Sequence, residues 1–273
     1  MPDFVFSIDL ELGAGIDHFV GKARINPLIE RKIFPKLLRL AKKHEIPLTI
    51  AVTGHLFLDK CKGHENMPKP SPSYYSGDWY KNDPESRYPK NKSWYAPDLI
   101  KEIKEAGHEI ACHSFSHVPF NQCSKKVAEA EIKESVKAAK KLGIKMKSFI
   151  FPRNEVRYLD LLKDNCFTHF TSYPKARHFL IDFKAKGFSF NNPEKIKGLI
   201  EVPRTYFFYT AKKTEALKLG LLLSMAKQQD ALFHLWCHGF NIKSPEYFNL
   251  LERIFQKVNK TGFDKKSLKE VTA

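Results

Sequence analysis

Three short apolar runs in this chain each end in polar cargo that a plain core would not carry. Phe4-Val-Phe-Ser-Ile-Asp9-Leu-Glu11 ends in carboxylates. Glu109-Ile-Ala-Cys-His113-Ser-Phe-Ser-His117 ends in two histidines four residues apart, and Ala231-Leu-Phe-His234-Leu-Trp-Cys-His238 ends in two more. The first and last of these runs lie more than 200 residues apart. Only a fold that gathers strand ends on one rim can unite them, and the C-terminal rim of a parallel barrel or sheet does so.

The rest of the chain alternates strand-like and helix-like patterns, which is the signature of an α/β fold with parallel strands. Strands are predicted at 4–9, 47–52, 109–112, 147–151, 167–171, 199–203 and 231–235, with helices at 28–44, 97–106, 124–141, 156–164, 213–228 and 245–259. In the second helix Leu99, Ile100 and Ile103 share the inward face, and Ala106-Gly107 stops it. Seven strands with intervening helices predict a distorted (β/α) barrel rather than a two-layer open sheet, although periodicity alone does not separate the two. No linker or repeat divides residues 1–273, so a single domain is expected.

One stretch breaks the rhythm. Residues 60–96 are polar and rich in Pro and Lys, yet carry Tyr74, Tyr75, Trp79, Tyr80, Tyr88, Trp94 and Tyr95. An insertion of this length in a compact domain is usually functional or disordered, and its aromatics argue against plain disorder. Two readings stand. It forms a lid or substrate wall whose rings, Trp79, Trp94 and Tyr95 among them, stack on sugar faces, or it packs on the outside of the barrel.

Bulk properties bound the function classes. With 273 residues, 42% of them hydrophobic, the chain can bury a full core. No apolar run approaches the roughly 20 residues that span a bilayer, and the N-terminus shows no basic region or cleavage site, so a cytoplasmic protein is expected. The five cysteines are odd in number and show no Cys-x-x-Cys pairing, which fits reduced thiols rather than a disulfide framework or a structural zinc site. The net charge of +16 reads either as a solvated lysine surface or as attraction to something anionic: a sugar nucleotide, a lipid-linked glycan or an acidic membrane surface. No zinc finger, helix-turn-helix or RNA-binding aromatic signature points to nucleic acid. Oligomeric state is not legible.

The strand ends carry the chemistry. Neutral imidazoles such as His113 and His117 are good ligands for transition metals. Asp9 and Glu11, at i and i+2, lie on the same side of a strand and can enter one site. Two buried carboxylates repel unless one is protonated or a cation sits between them. Arg153, in Phe151-Pro152-Arg153-Asn154, can hold a carboxylate by a bidentate pair and keep it ionised, or make a surface salt bridge. Of His234 and His238, one could be a general acid and the other a core histidine or substrate contact, with Trp236 between them.

At these residues the chain resembles the NodB-homology polysaccharide deacetylases, carbohydrate esterase family four. The resemblance runs from Ser7-Ile-Asp9-Leu-Glu11 to His234. His113-Ser114-Phe115-Ser116-His117 matches the His-Ser/Thr-x-x-His motif in full, and Leu232-Phe233-His234 matches the Leu-x-His motif. Of the Arg-x-Pro-Tyr motif only Arg153 carries over. Adjacent aspartates are usual in the first motif, whereas Leu10 separates Asp9 from Glu11 here, as in branches with Asp-x-Asp or Asp-x-Glu. The resemblance implies a metal-dependent hydrolase that removes an N-acyl group, most often N-acetyl, from an amino sugar of a glycan or glycan precursor. It implies a divalent cation, Zn2+ by preference, on Glu11, His113 and His117, with Asp9 as base oriented by Arg153 and His234 as acid, which its Leu-Phe-His context favours over the competing His238. Trp79, Trp94, Tyr95 and Trp236 are the candidate sugar contacts. A deformylase or other amidase of the same fold, or a non-catalytic glycan-binding module, are the alternatives.

Overall fold

A computed structural model describes residues 1–16, 26–64, 67–68, 79, 83–173 and 190–273. All seven predicted strands are present, as β1 (Asp3–Leu10), β2 (Leu48–Val52), β3 (Glu109–Cys112), β4 (Ser148–Phe149), β5 (His169–Ser172), β7 (Leu199–Pro203) and β9 (Phe233–His238). Three short strands were not anticipated: β6 (Glu194–Ile196), β8 (Tyr206–Phe207) and β10 (Asp264–Lys266). The sheet runs β6-β7-β5-β4-β3-β2-β1-β9-β8, with β10 beside β1. Every pairing is parallel except β6 with β7. The segment from Leu199 to Phe207 pairs with β5 through β7 and with β9 through β8, and Thr205 N–H donates to the His234 carbonyl at 2.9 Å. That one segment bridges the two edges of the curled sheet, which gives the distorted barrel of about seven parallel strands.

Six helices form where the apolar spacing places them, as α2 (Ile29–His44), α3 (Pro97–Glu105), α4 (Lys125–Lys141), α5 (Leu159–Asp164), α6 (Lys213–Gln228) and α7 (Pro245–Thr261), and a short unanticipated helix, α1 (Leu12–Ile16), follows β1. Leu99, Ile100 and Ile103 of α3 are buried as their spacing requires. Ser124 caps α4 by accepting from Val127 N–H.

Alternation along β1 sorts its side chains into two cores. Phe4, Phe6, Ile8 and Leu10 join the large core under the helices, with Phe34 and Leu37 of α2. Val5, Ser7 and Asp9 alternate with them and face the barrel interior. Val5 meets Val202, Leu232, Leu268 and Val271 there. The C-terminal residues plug this lower end: Leu268 N–H donates to Thr49 Oγ1 (2.8 Å), and His169 Nε2–H donates to the Val271 carbonyl (2.9 Å). With the floor closed at the N-terminal ends of the strands, the opposite rim is left for Asp9, His113 and His238. Among the described residues, no helix is long and apolar enough to cross a membrane.

Candidate functional site

Glu11 leaves β1 just where the chain turns into α1, with Leu12 at φ 44°. The buried Glu30 of α2 holds this turn. Its Oε2 accepts from Leu12 N–H (2.6 Å) and Glu11 N–H (3.3 Å). Burial, aided by the charges on Glu11 and Asp9, pushes the Glu30 carboxyl up to about 8. Glycine is required at 15, because a Cβ there would lie 2.5 Å from that of Glu11.

His113 and His117 sit on a loop that another buried carboxylate shapes. Glu131 of α4 accepts from Phe115 N–H (2.8 Å), Ser116 N–H (2.7 Å) and Ser116 Oγ–H (2.6 Å). These bonds hold Ser114 and His117 in the left-handed region, at φ 55° and 61°. Non-glycine residues adopt that conformation only where their surroundings impose it, and such positions cluster at functional sites.

The imidazoles surround one oxygen. Glu11 Oε1 lies 3.3 Å from His117 Nε2, 3.5 Å from His238 Nε2 and 3.7 Å from His113 Nε2. His113 Nδ1 is 2.7 Å from the Ile150 carbonyl. A carbonyl only accepts, so Nδ1 carries a proton and the ring is fixed with Nε2 facing Glu11. Neither Glu11 oxygen, nor His113 Nε2, has a hydrogen-bond partner among the described residues, though all are buried. Two atoms each ~2.0–2.1 Å from a tetrahedral ion are about 3.3–3.4 Å apart, close to the spacing seen here. One atom each of Glu11, His113 and His117, and likewise of Asp9, Glu11 and His238, falls within 4.8 Å of the others. This donor set fits a divalent cation.

Electrostatics agree with that fit. Burial works to raise the Glu11 carboxyl, but the imidazoles of His117, His238 and His113 outweigh it and hold the group well below the usual range. Burial lowers His117 and favours its neutral, ligating form. In His113 burial is outweighed by Asp9 and Glu11, which raise it: this pocket attracts positive charge.

Asp9 is held by an arginine, but not by Arg153. Arg204 Nη2 donates to both Asp9 oxygens (2.8 and 3.2 Å), with Arg204 1% and Asp9 2% exposed. Its Nη1 donates to Asn154 Oδ1 (2.8 Å), and its guanidinium lies 4.0 Å from the Trp236 ring centroid. Arg153 is exposed. The turn Pro152–Asn154 holds Arg153 and Asn154 at φ 56° and 57°, and it is Asn154 that reaches inward. Arg204 was missed although it follows the predicted strand 199–203, where the same strand-end logic applies.

The last strand also needs a correction. Asp9 pairs with His238, whereas His234 pairs with Val5, four residues or about 13 Å lower at ~3.3 Å per residue. His234 is fully buried, bonded through Nε2 to Ser7 Oγ (2.8 Å). Burial, reinforced by Arg204, pushes its imidazole down to about 3. It is an interior histidine, and His238 is the one on the rim. Trp236 does stand at the site, stacked on Phe207 (centroids 4.3 Å apart) beside His238 (5.9 Å). Its indole Nε1–H has no partner among the described residues.

The insertion's aromatics do not face a sugar. Trp79 and Tyr95 are fully buried and Trp94 nearly so. Trp79 donates through Nε1 to the Ala14 carbonyl (2.9 Å) and packs on Trp94 (5.2 Å). Tyr95 accepts from Ser86 N–H (3.0 Å). These three fill an internal core, because flat rings with one polar handle are most favourable buried with that handle bonded. Tyr74, Tyr75 and Tyr80 lie outside the described residues.

Comparison with known proteins places this geometry. The sequence profile of the polysaccharide deacetylases matches residues 26–163. No curated protein sequence matches the chain. Solved structures share its fold at low identity. A Mycobacterium smegmatis protein provisionally assigned as a polysaccharide deacetylase is 14% identical, with a TM-score of 0.65 over 97% of this chain and 86% of that one. A family 4 carbohydrate esterase from Streptomyces lividans, solved with acetate, is 12% identical with a TM-score of 0.52 over 97% and 91%. A CE4-family pseudoenzyme from Bacillus anthracis is 12% identical with a TM-score of 0.52 over 98% and 64%.

Proposed function

Since this chain belongs to the polysaccharide deacetylase family, we propose that it is a metal-dependent hydrolase that removes an N-acyl group, N-acetyl foremost, from an amino sugar of a glycan or glycan precursor. The observation that carries this reading is the cluster of Glu11, His113 and His117 beside the Asp9–Arg204 pair on one rim. A divalent cation held by Glu11, His113 and His117, Zn2+ being the best match to two imidazoles and a carboxylate, would supply Lewis acidity toward the acyl carbonyl and a lowered pKa for water.

The chain's own groups do the rest. Asp9 takes the proton of the attacking water as general base. Arg204 keeps Asp9 ionised and fixes its direction, as a two-bond guanidinium grip does. His238 donates a proton to the departing amine. Trp236, stacked on Phe207, forms the apolar wall against which the sugar ring lies. The net charge of +16 suits a nucleotide-linked or lipid-linked substrate, or contact with an anionic membrane.

The test is metal analysis of the purified chain joined to acetate and formate release from free, nucleotide-linked and lipid-linked N-acyl amino sugars. Acetate release that needs the cation supports the reading, and formate release alone makes the protein a deformylase. Binding without turnover across the panel overturns it in favour of a non-catalytic module.

The two histidines of β9 separate by kinetics. His238→Ala is expected to lower kcat by about 10²–10⁴-fold, the range for a lost general acid. His234→Ala should leave kcat within a few-fold but lower thermal stability by about 1–3 kcal/mol, because Ser7 loses its buried partner. A larger kcat loss from His234→Ala would return the acid role to it.

A further inference from the structure

A second group of ligand-type side chains converges away from Glu11. His55 lies in the 3-10 turn Gly54–Phe57 that follows β2. Cys61 and His64 open the insertion, and Asp83 returns from its far side. One atom from each of the four lies within 4.8 Å of all the others. Asp83 Oδ2 is 3.2 Å from His55 Nε2, 2.9 Å from His64 Nε2 and 3.2 Å from Cys61 Sγ, and that sulfur is 3.1 Å from His64 Nε2. The His55 and Asp83 side chains are fully buried.

Two details point to a cation. His55 Nδ1 is 3.0 Å from the Trp94 carbonyl, so Nδ1 carries a hydrogen and the ring is held with Nε2 facing the Asp83 carboxylate. A ring N–H given to a backbone carbonyl is how ligating histidines are commonly oriented. His113 is set in the same way. Second, Gly63 N–H donates to Cys61 Sγ at 3.2 Å, with Gly63 at φ +99°. An N–H aimed at sulfur fixes the direction of that side chain, and the left-handed turn brings His64 back to it three residues later.

We propose that His55, Cys61, His64 and Asp83 form a second metal site, structural rather than catalytic, that takes Zn2+. One thiolate, two imidazoles and one carboxylate make a closed set of four for a tetrahedral ion. The rings of Tyr95, Trp79, Trp94 and Phe115 pack around His55 at 5.1–5.7 Å and wall it off. The site fastens the start of the insertion, at Cys61 and His64, and its interior residue Asp83 to the rim turn that carries His55. From there, Gly54 N–H donates to the Ser114 carbonyl (2.7 Å) and His55 N–H to that of Phe115 (3.0 Å). Those two bonds tie it to the loop carrying His113 and His117.

Cobalt gives a readout that only this cluster can produce, since the ligand set around Glu11 holds no sulfur. The full chain, loaded with Co2+, should show a near-ultraviolet thiolate-to-cobalt charge-transfer band. Cys61→Ser should abolish that band and halve the zinc content from two equivalents to one. The double variant His113→Ala/His117→Ala should keep the band and lose the other equivalent. Asp83→Asn serves as a milder variant if Cys61→Ser fails to fold, and should weaken zinc retention against a chelator. A wild-type cobalt protein without the band overturns the proposal, as does undiminished zinc in Cys61→Ser. If the Glu11 centre holds no metal, the count falls to one while the band remains, so the two readings fail separately.

Discussion

Asp9→Asn is expected to retain bound metal while losing about 10²–10⁴-fold in kcat, the range for removal of a general base. Asparagine has nearly the same shape, and its oxygen can still accept from Arg204. It cannot take up a proton, so the attacking water stays neutral. Glu11→Gln should behave differently. Glu11 Oε1 is the oxygen ringed by His117, His238 and His113, and its charge is what draws a cation, so metal content should fall first and activity with it. Asp9→Asn also leaves the Arg204 charge uncompensated in the interior, which costs stability. Turnover is therefore measured well below the variant's own melting temperature. Loss of metal in Asp9→Asn with metal retained in Glu11→Gln would mean that the two carboxylates exchange roles.

What the sequence made legible follows from how local each signal is. The strands whose apolar residues alternate or run together, and the helices with a clear inward face, were placed to within a few residues because their periodicity is contained in the segment. β6, β8 and β10, of two or three residues each, carry too little pattern to find. The rim residues Asp9, Glu11, His113, His117 and His238 stood out because polar groups ending apolar runs are unusual. Partner choice was not legible. Arg153 and Arg204 both follow predicted strands, and only the αL turn at Arg153 and Asn154 decides that one faces solvent while the other enters the barrel. His234 and His238 lie on one face, and only the register against β1 separates an interior layer from the rim. The aromatics of the insertion read equally as a sugar platform or as packing on the outside of the barrel, whereas Trp79, Trp94 and Tyr95 bury one another around His55. Cys61-Lys62-Gly63-His64 carries no Cys-x-x-Cys spacing, and its partners His55 and Asp83 come from separate segments. None of the five cysteines forms a disulfide in the fold.

The Asp9–Arg204 pair is where fold and chemistry meet, and it should dominate the stability measurements. Arg204→Met keeps the length of the side chain and its packing on Trp236 but leaves a carboxylate buried without a partner. Breaking a buried pair in this way costs about 3–5 kcal/mol, or roughly 6–20 °C in Tm at ~2–4 °C per kcal/mol. The freed Asp9 also loses its direction toward the water, and misplacement of a reacting group by ~1 Å costs on the order of 10²-fold in rate. Arg153→Ala, at an exposed position, should stay within about 0.5 kcal/mol of wild type. The double variant Arg204→Met/Asp9→Asn removes both charges, so it should be more stable than Arg204→Met alone, because an apolar and a neutral polar group need no mutual compensation. Thermal melts of the three variants, with kcat for the two single ones, decide the matter. If Arg153→Ala lowers both Tm and kcat while Arg204→Met spares them, the arginine that governs Asp9 is the exposed one after all, and the role given to the barrel interior is wrong.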